Sequence, residues 1–181
     1  MASWARIATR ARVPLSFLIA AGSLWLAQPT RLSIAGGAGL AAVGLGLRAI
    51  ASGYIDKNVR LAMAGPYAHT RHPLYLGSAL IGIGFVAAAR SWWVAVAVGA
   101  LFLAVYLPVI QGEEDYLRTN FADYPDYAAN VPRFGMRVTP YKAGACDARP
   151  QFSRALYLWH REYNAVLCAL LMLGALLLKL W

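Results

Sequence analysis

Five long apolar stretches, separated by short polar segments, dominate the pattern of hydrophobic and polar positions along this chain. A helix that crosses a bilayer needs about 20 mostly apolar residues, so stretches of this length predict membrane-spanning helices. Two of them are short for a span and would need help from flanking residues. The predicted spans are residues 13–28, 32–52, 74–89, 91–111 and 163–180. The pattern therefore predicts an all-α fold, a polytopic membrane helix bundle of about five transmembrane helices in a single membrane domain.

Composition and charge agree with a membrane protein. Of the 181 residues, 60% are hydrophobic and only 14% are charged, which is outside the usual range of soluble domains. The net charge of +9 does not by itself indicate nucleic acid, because 14 of the 17 Lys and Arg residues fall on one side of the predicted spans if the N-terminus is cytoplasmic. This bias predicts a cytoplasmic N-terminus, a C-terminus on the opposite side, and no nucleic-acid partner.

Three smaller features add detail to this topology. Ala38, Ala42 and Gly46 recur every four residues, which predicts a face where another helix approaches closely, unless they are only the glycine and alanine common in membrane helices. Cys146 and Cys168 lack a CxxC spacing, so we predict neither a disulfide nor a metal site. Residues 140–151 are expected to form a polar connection to the last span.

The first segment with candidate chemistry is the run GPYAHTRHPLYLG at residues 65–77. Pro73 suits the first turn of a helix, so the third helix is predicted to begin beside Arg71 and His72. Free backbone N–H groups, an Arg and a His at one membrane boundary form a combination that can receive a carboxylate or another anion. The alternative is positive-inside anchoring with interfacial aromatic residues.

The second segment is the run EEDYLRTNFADYPDY at residues 113–127. If the fourth helix continues, Glu113, Leu117 and Phe121 share one face at a spacing of four. Glu113 and Glu114, side by side at the membrane surface, can bind an ammonium group or ribose hydroxyls, and the alternative is a solvated helix end. Acidic side chains are unfavourable near a helix C-terminus, so partners such as Arg71, Arg118 or a cationic ligand are expected.

In this order and at this separation, the two runs resemble the paired signature of the isoprenylcysteine carboxyl methyltransferase and phospholipid methyltransferase family, over about residues 44–134. The resemblance implies an integral membrane enzyme that uses S-adenosylmethionine to methylate a small lipophilic or amphiphilic acceptor reached from the membrane. It implies an active site formed by residues 53–73 and 112–162, facing the cytoplasm of a bacterial-type inner membrane. Its membrane partners would be this acceptor and the surrounding lipids.

The resemblance also implies which residues form the site. The positions that match the family pattern are Tyr67, Arg71, His72, Pro73, Tyr75, Gly77, Glu113, Glu114, Leu117, Phe121, Tyr124 and Tyr127. The expected catalytic residues among them are Arg71, His72, Glu113 and Glu114. We expect Arg71 and His72 near the carboxylate end of the cofactor and one glutamate near its ammonium or ribose. The remaining matched residues, apart from Phe121, are expected to bind the cofactor.

The chain departs from the family pattern at several places. Ala122 stands where a glycine is usual, and Pro125 interrupts the stretch before Tyr127. Prenylcysteine methyltransferases use a basic residue shortly before the glutamates, but residues 106–111 contain none. An unpaired buried carboxylate is costly, so a neutral or amine-bearing acceptor is expected. His69 is expected to face solvent and His160 to lie at the membrane interface.

Three other functional classes fit parts of the sequence. A membrane reductase of the sterol reductase type carries a similar Gly-Pro-Tyr and Arg-His-Pro run and binds NADPH, although such chains are usually much longer. A non-catalytic membrane scaffold would bind no nucleotide. A transporter is disfavoured because five short spans show no internal symmetry.

Overall fold

The computed structural model describes residues 2–56, 59–142 and 151–181, without the side chains of residues 2–6, 9 and 12. Lys57, Cys146 and most of the expected polar connection therefore lie outside the described residues. All regular structure in the described part is helical, as predicted from the apolar pattern. The seven α-helical segments are α1 (Ala2–Leu26), α2 (Arg31–Ser52), α3 (Pro73–Ala89), α4 (Trp92–Asn120), α5 (Tyr124–Asn130), α6 (Arg154–Trp159) and α7 (Tyr163–Leu178). A 3-10 turn, Gly65–Ala68, precedes α3.

Each predicted apolar stretch lies largely within one of the helices α1, α2, α3, α4 and α7. By length and composition, α2 and α4 are long and apolar enough to cross a membrane. Three shorter apolar helices accompany them, Val13–Leu26, Pro73–Ala89 and Tyr163–Leu178. The apolar character of these helices and their exposed Leu, Val and Trp side chains indicate association with a membrane.

Residues with defined backbone preferences set the helix ends. Pro73 is the first residue of α3, as predicted, because its missing N–H is not needed in the first turn. Helix α1 ends at Leu26, two residues before the predicted boundary, because Pro29 disfavours helical geometry in the residue before it. Arg90 adopts a left-handed conformation with φ of 50°, which turns the chain between α3 and α4.

Helices α2 and α3 pack through glycines, but not through the face predicted from the sequence. A Cβ added to Gly44 would lie 2.6 Å from the Gly77 carbonyl oxygen, and one added to Gly84 would lie 2.6 Å from the Gly37 carbonyl oxygen. Gly46 has open space around it, so the predicted face of Ala38, Ala42 and Gly46 was wrong. A spacing of four drifts around a helix by about 40° per step, whereas a spacing of seven stays within about 20°.

Helix α4 contains a short π-helical segment, Phe102–Tyr106, in which the N–H of Leu107 donates to the carbonyl of Phe102. Pro108 lies two residues after the end of this segment, and a proline inside a helix removes one donor and crowds the preceding turn. The segment brings the rings of Phe102 and Tyr106 into a stack with centroids 5.7 Å apart and an interplanar angle of 9°. Such π segments are frequent at functional sites.

Candidate functional site

The segment after α5 folds back along the loop that leads into α3. The N–H of Arg71 donates to the carbonyl of Pro132, the N–H of Arg137 to that of His69, and the N–H of Tyr141 to that of Ala68, each at 2.9 Å. The hydroxyl of Thr70, fully buried, adds a bond to the carbonyl of Arg133 at 3.1 Å. These bonds hold the first predicted segment and the region just after the second one together.

Glu114 lies at the centre of a buried ionic cluster where the two segments meet. Its carboxylate accepts a hydrogen bond from His72 Nε2 at 3.0 Å and lies 3.1 Å from the Arg71 Nη1. Arg133 donates to both carboxylate oxygens, from Nε at 3.1 Å and from Nη2. An ionised carboxylate only accepts hydrogen bonds, so the imidazole carries its proton on Nε2 in this contact. Three side chains from two distant segments thus share one carboxylate.

A cavity of about 550 Å³ lies beside this cluster, within the usual size range of small-molecule sites. Its wall includes positive groups from Arg48, Arg60 and Arg71 and the carboxylates of Glu113 and Glu162. No salt bridge involves Glu113 in the part of the chain that the structure describes. The cavity is therefore able to hold a ligand that carries both a negative and a positive group.

Most of the residues predicted for the site line this one cavity. They are Tyr67, Arg71, His72, Pro73, Tyr75, Glu113, Leu117, Phe121, Tyr124 and Tyr127. Phe121 reaches it from outside the helix, because α4 ends at Asn120 and Phe121 has extended backbone angles. Pro125 occupies the first turn of α5, where a proline is tolerated, so it does not displace Tyr124 or Tyr127 from the wall.

Two predicted cofactor residues have other roles in the structure. Gly77 lies in the α2–α3 contact, where an added Cβ would be 2.6 Å from Arg48 Cγ, and it does not line the cavity. Glu114 is 5% exposed and lies behind the wall, so of the two glutamates expected side by side at the surface only Glu113 lines the cavity. The expected partner Arg71 does contact Glu114. Because Arg71 and His72 both contact Glu114, their first partner is a carboxylate of the protein itself.

Burial raises the pKa of three tyrosines in the cavity wall. Desolvation raises the pKa of Tyr67, and the nearby negative charge of Glu113 raises it further. Burial likewise raises the pKa of Tyr127, whose hydroxyl donates to the Tyr67 carbonyl at 2.8 Å. Burial raises the pKa of Tyr124 too, although the Arg71 guanidinium beside it acts in the opposite direction. The phenols therefore remain neutral hydrogen-bonding groups at physiological pH.

Three buried polar atoms of wall residues lack a hydrogen-bond partner of good geometry within the described structure, namely Tyr67 Oη, Arg71 Nε and Tyr124 Oη. Tyr124 Oη still interacts electrostatically with Arg71. Buried polar groups are usually paired, so unsatisfied atoms concentrated at one cavity are the kind of group that a polar ligand satisfies.

Sequence reasoning missed several residues of this region. Arg133, rather than the exposed Arg118, supplies the second guanidinium of the Glu114 cluster. His69 is half-buried, with its Nδ1 2.7 Å from the Arg137 carbonyl oxygen, so the expectation of a solvent-facing side chain was wrong. His160, expected only at the membrane interface, lines the cavity. These contacts depend on how residues 131–142 and 151–160 pack on the rest of the structure, which no periodicity in the sequence indicates.

Comparison with known families identifies the family of this chain. The profile of the family described as "Phospholipid methyltransferase" matches residues 34–124, which is half of the chain. The chain belongs to the phospholipid methyltransferase family. The family match begins at residue 34 within α2, includes α3 and extends through Tyr124. It therefore covers most residues of the cavity wall and stops before Arg133 and Glu162.

Two curated proteins resemble part of this family member. The nickel-cobalt-cadmium resistance protein NccN of Alcaligenes xylosoxydans xylosoxydans is 32% identical over 87 residues, which are 48% of this chain and 41% of that protein. The cobalt-zinc-cadmium resistance protein CzcN of Cupriavidus metallidurans is 34% identical over 86 residues, 48% of this chain and 40% of that protein. The chain thus spans about two-fifths of the length of the relatives it matches. No solved structure matches it.

Proposed function

We propose that this protein is an integral membrane methyltransferase that transfers the methyl group of S-adenosylmethionine to a lipophilic acceptor. The observation that carries the proposal is the convergence of both family-matched segments on one cavity, through the contact of His72 with Glu114. Membership of the phospholipid methyltransferase family supports methyl transfer to a lipid-like substrate of the membrane.

The residues of the cavity fit this cofactor. Its amino-acid part carries a carboxylate and an ammonium group, which correspond in charge to Arg71 and to Glu113. Its sulfonium and adenine favour aromatic faces, which Tyr67, Tyr75 and Phe121 supply. The buried hydroxyl of Tyr67 has no hydrogen-bond partner of good geometry among the described residues and would gain one from a polar ligand.

For methyl transfer, the main role of the protein is to position the methyl donor and the acceptor. When bound, S-adenosylmethionine would supply the methyl group: transfer to the acceptor's lone pair would break the carbon–sulfur bond, leave its electron pair on sulfur and release the acceptor's proton to water. In this scheme Glu113 and Arg71 orient the cofactor, and Glu114 fixes Arg71 and His72 in place from behind the wall. The reaction therefore does not need a nucleophilic side chain from the protein.

We also propose the topology that the charge bias predicts. Five helices, α1, α2, α3, α4 and α7, would cross the membrane, with the N-terminus and the cavity on the cytoplasmic side. The short spans would be accommodated by tilt, flanking residues or local thinning of the bilayer.

A turnover assay with S-adenosylmethionine labelled in its methyl group tests the proposal. The acceptors to compare are N-acetyl-farnesylcysteine, an aminolipid, a lipophilic amine and a lipophilic thiol. We expect methyl transfer, with a neutral or amine-bearing acceptor preferred to the farnesylcysteine carboxylate. No transfer to any acceptor or to fractionated membrane lipids would contradict the proposal, and reduction of a lipid with NADPH would favour the reductase alternative.

A further inference from the structure

A second cavity, of about 330 Å³, lies inside the bundle next to the first one. Its wall comes mainly from apolar side chains of α1, α3, α4 and α7, such as Ile19, Phe85, Val98 and Met172. The two cavities share the lining residues Ser16, Phe17, Arg48, Ser78 and Tyr106. A mostly apolar space thus adjoins the polar one at a common edge.

An ion pair between distant parts of the chain marks this common edge. Arg48 of α2 donates from Nε to Glu162 Oε2 at 3.0 Å and from Nη2 to Glu162 Oε1 at 2.9 Å. Its Nη1 donates to the Ser78 hydroxyl and to the Leu74 carbonyl. The guanidinium is therefore already neutralised by a bidentate carboxylate of the protein, and most of its donors are occupied.

The π-helical segment of α4 shapes the same space. Phe102 and Tyr106, the first and last residues of this segment, both line the second cavity, and Tyr106 also lines the first. The Tyr106 hydroxyl lies 3.5 Å from the Ser16 hydroxyl of α1. A cavity with an apolar body and a few polar groups at one end has the usual form of a site for an amphiphilic molecule.

We propose that the second cavity binds the hydrocarbon part of the methyl acceptor, and that the Arg48–Glu162 ion pair at its edge selects an uncharged nucleophile such as a neutral amine, hydroxyl or thiol. The inference rests on the proposed methyltransferase function. At this edge an acceptor carboxylate would have to displace Glu162 from Arg48 or remain unpaired, and both are costly in a desolvated place. A neutral head group needs neither and can form hydrogen bonds with the hydroxyl groups at the edge.

The location of the hydrocarbon site is tested with a photoactivatable probe, dodecylamine carrying a terminal diazirine, on the full chain in nanodiscs. We expect adducts in residues 16–23, 78–85 and 165–172, which supply much of the cavity wall. Ala165→Phe, which narrows the cavity, should reduce these adducts by about tenfold or more, the effect of one or two methylene groups of lost fit. Ala42→Phe is the matched control, since Ala42 is exposed on α2 and lines neither cavity.

Equal labelling in the two variants, or adducts confined to outward-facing residues, would overturn the hydrocarbon site. This readout needs no turnover. Failure of the wild-type protein to bind S-adenosylmethionine would refute the proposed function instead, and the labelling pattern would still decide whether the cavity takes an amphiphile.

The selectivity of the edge is tested with Glu162→Gln, which leaves Arg48 without its carboxylate. We expect the ratio of kcat/KM for the uncharged acceptor dodecanethiol to that for N-acetyl-farnesylcysteine to fall by about tenfold or more, since the freed guanidinium can pair with an acceptor carboxylate. Asp115→Asn removes an exposed acidic charge that lines neither cavity and should leave the ratio unchanged. An unchanged ratio in Glu162→Gln would overturn the assigned role of the ion pair.

Discussion

The Nε2 atom of His72 lies 3.0 Å from the Oε1 atom of Glu114 in a buried contact between residues 42 positions apart in the sequence. The contact joins the N-cap of α3 to the polar end of α4. Arg71 and Arg133 converge on the same carboxylate. The neighbouring Glu113 lines the cavity instead. The two adjacent glutamates therefore have different roles: Glu114 pairs with residues of the protein, and Glu113 faces a ligand.

We predict that Glu114→Gln and Glu113→Gln have opposite profiles. Loss of the Glu114 charge leaves two guanidinium groups without their shared carboxylate and should lower the free energy of unfolding by about 3–5 kcal/mol, the usual cost of breaking a buried pair. Glu113 has no ion pair in the described structure, so Glu113→Gln should leave thermal stability unchanged and reduce methyl transfer by about tenfold or more. Thermal unfolding in detergent and the turnover assay measure the two effects. Identical profiles for the two variants would show that the division between a structural and a ligand-facing glutamate is wrong.

Arg133 should stabilise the folded protein through the geometry of its hydrogen bonds as well as through its charge. Its Nε and Nη2 groups donate to the two oxygens of Glu114, an arrangement that lysine cannot reproduce. We predict that Arg133→Lys lowers the free energy of unfolding by about 1 kcal/mol, a modest amount because the side chain is 38% exposed.

Arg118→Lys is the matched control, because Arg118 is exposed and forms no ion pair in the described part of the chain. Chemical denaturation of both variants in the same detergent provides the comparison. A larger loss in Arg118→Lys would rule out the assigned role of Arg133.

The packing of α2 on α3 predicts opposite effects for one substitution at two positions of α2. Gly46→Ala should stabilise the protein by about 0.5–1 kcal/mol, because alanine favours a helix and the position is open. Gly44→Ala should destabilise it by about 1–3 kcal/mol, because the added methyl would meet the Gly77 carbonyl. Equal changes in melting temperature for both variants would exclude the close approach at Gly44.

The helices were predictable from sequence because long apolar stretches and single residues indicate them directly. Pro73 predicted the start of α3, and the predicted span 74–89 ends where α3 ends, at Ala89. The glycine contact was missed although a signal existed. Gly37 and Gly44 are separated by seven residues, as are Gly77 and Gly84, and this spacing keeps residues on one face better than a spacing of four.

Only the parts of the site in residues 65–77 and 113–127, the two runs that resemble the family pattern, could be predicted from the sequence. Sequence placed Glu113 and Glu114 together at one surface, but the continued helix turns Glu114 behind the wall towards His72. The pairing of Arg48 with Glu162 joins residues 114 positions apart, and nothing in the local pattern of either residue indicates it. Such contacts follow from how the helices pack, which periodicity alone does not determine.

Calorimetric titration of the detergent-solubilised protein with S-adenosylmethionine, its demethylated product and NADPH tests the central claim most directly. The account predicts saturable binding of S-adenosylmethionine and of the product, weakened by about tenfold or more in Glu113→Gln through loss of a charged contact. It predicts no binding of NADPH. Binding of NADPH without binding of S-adenosylmethionine would contradict the account and favour a reductase.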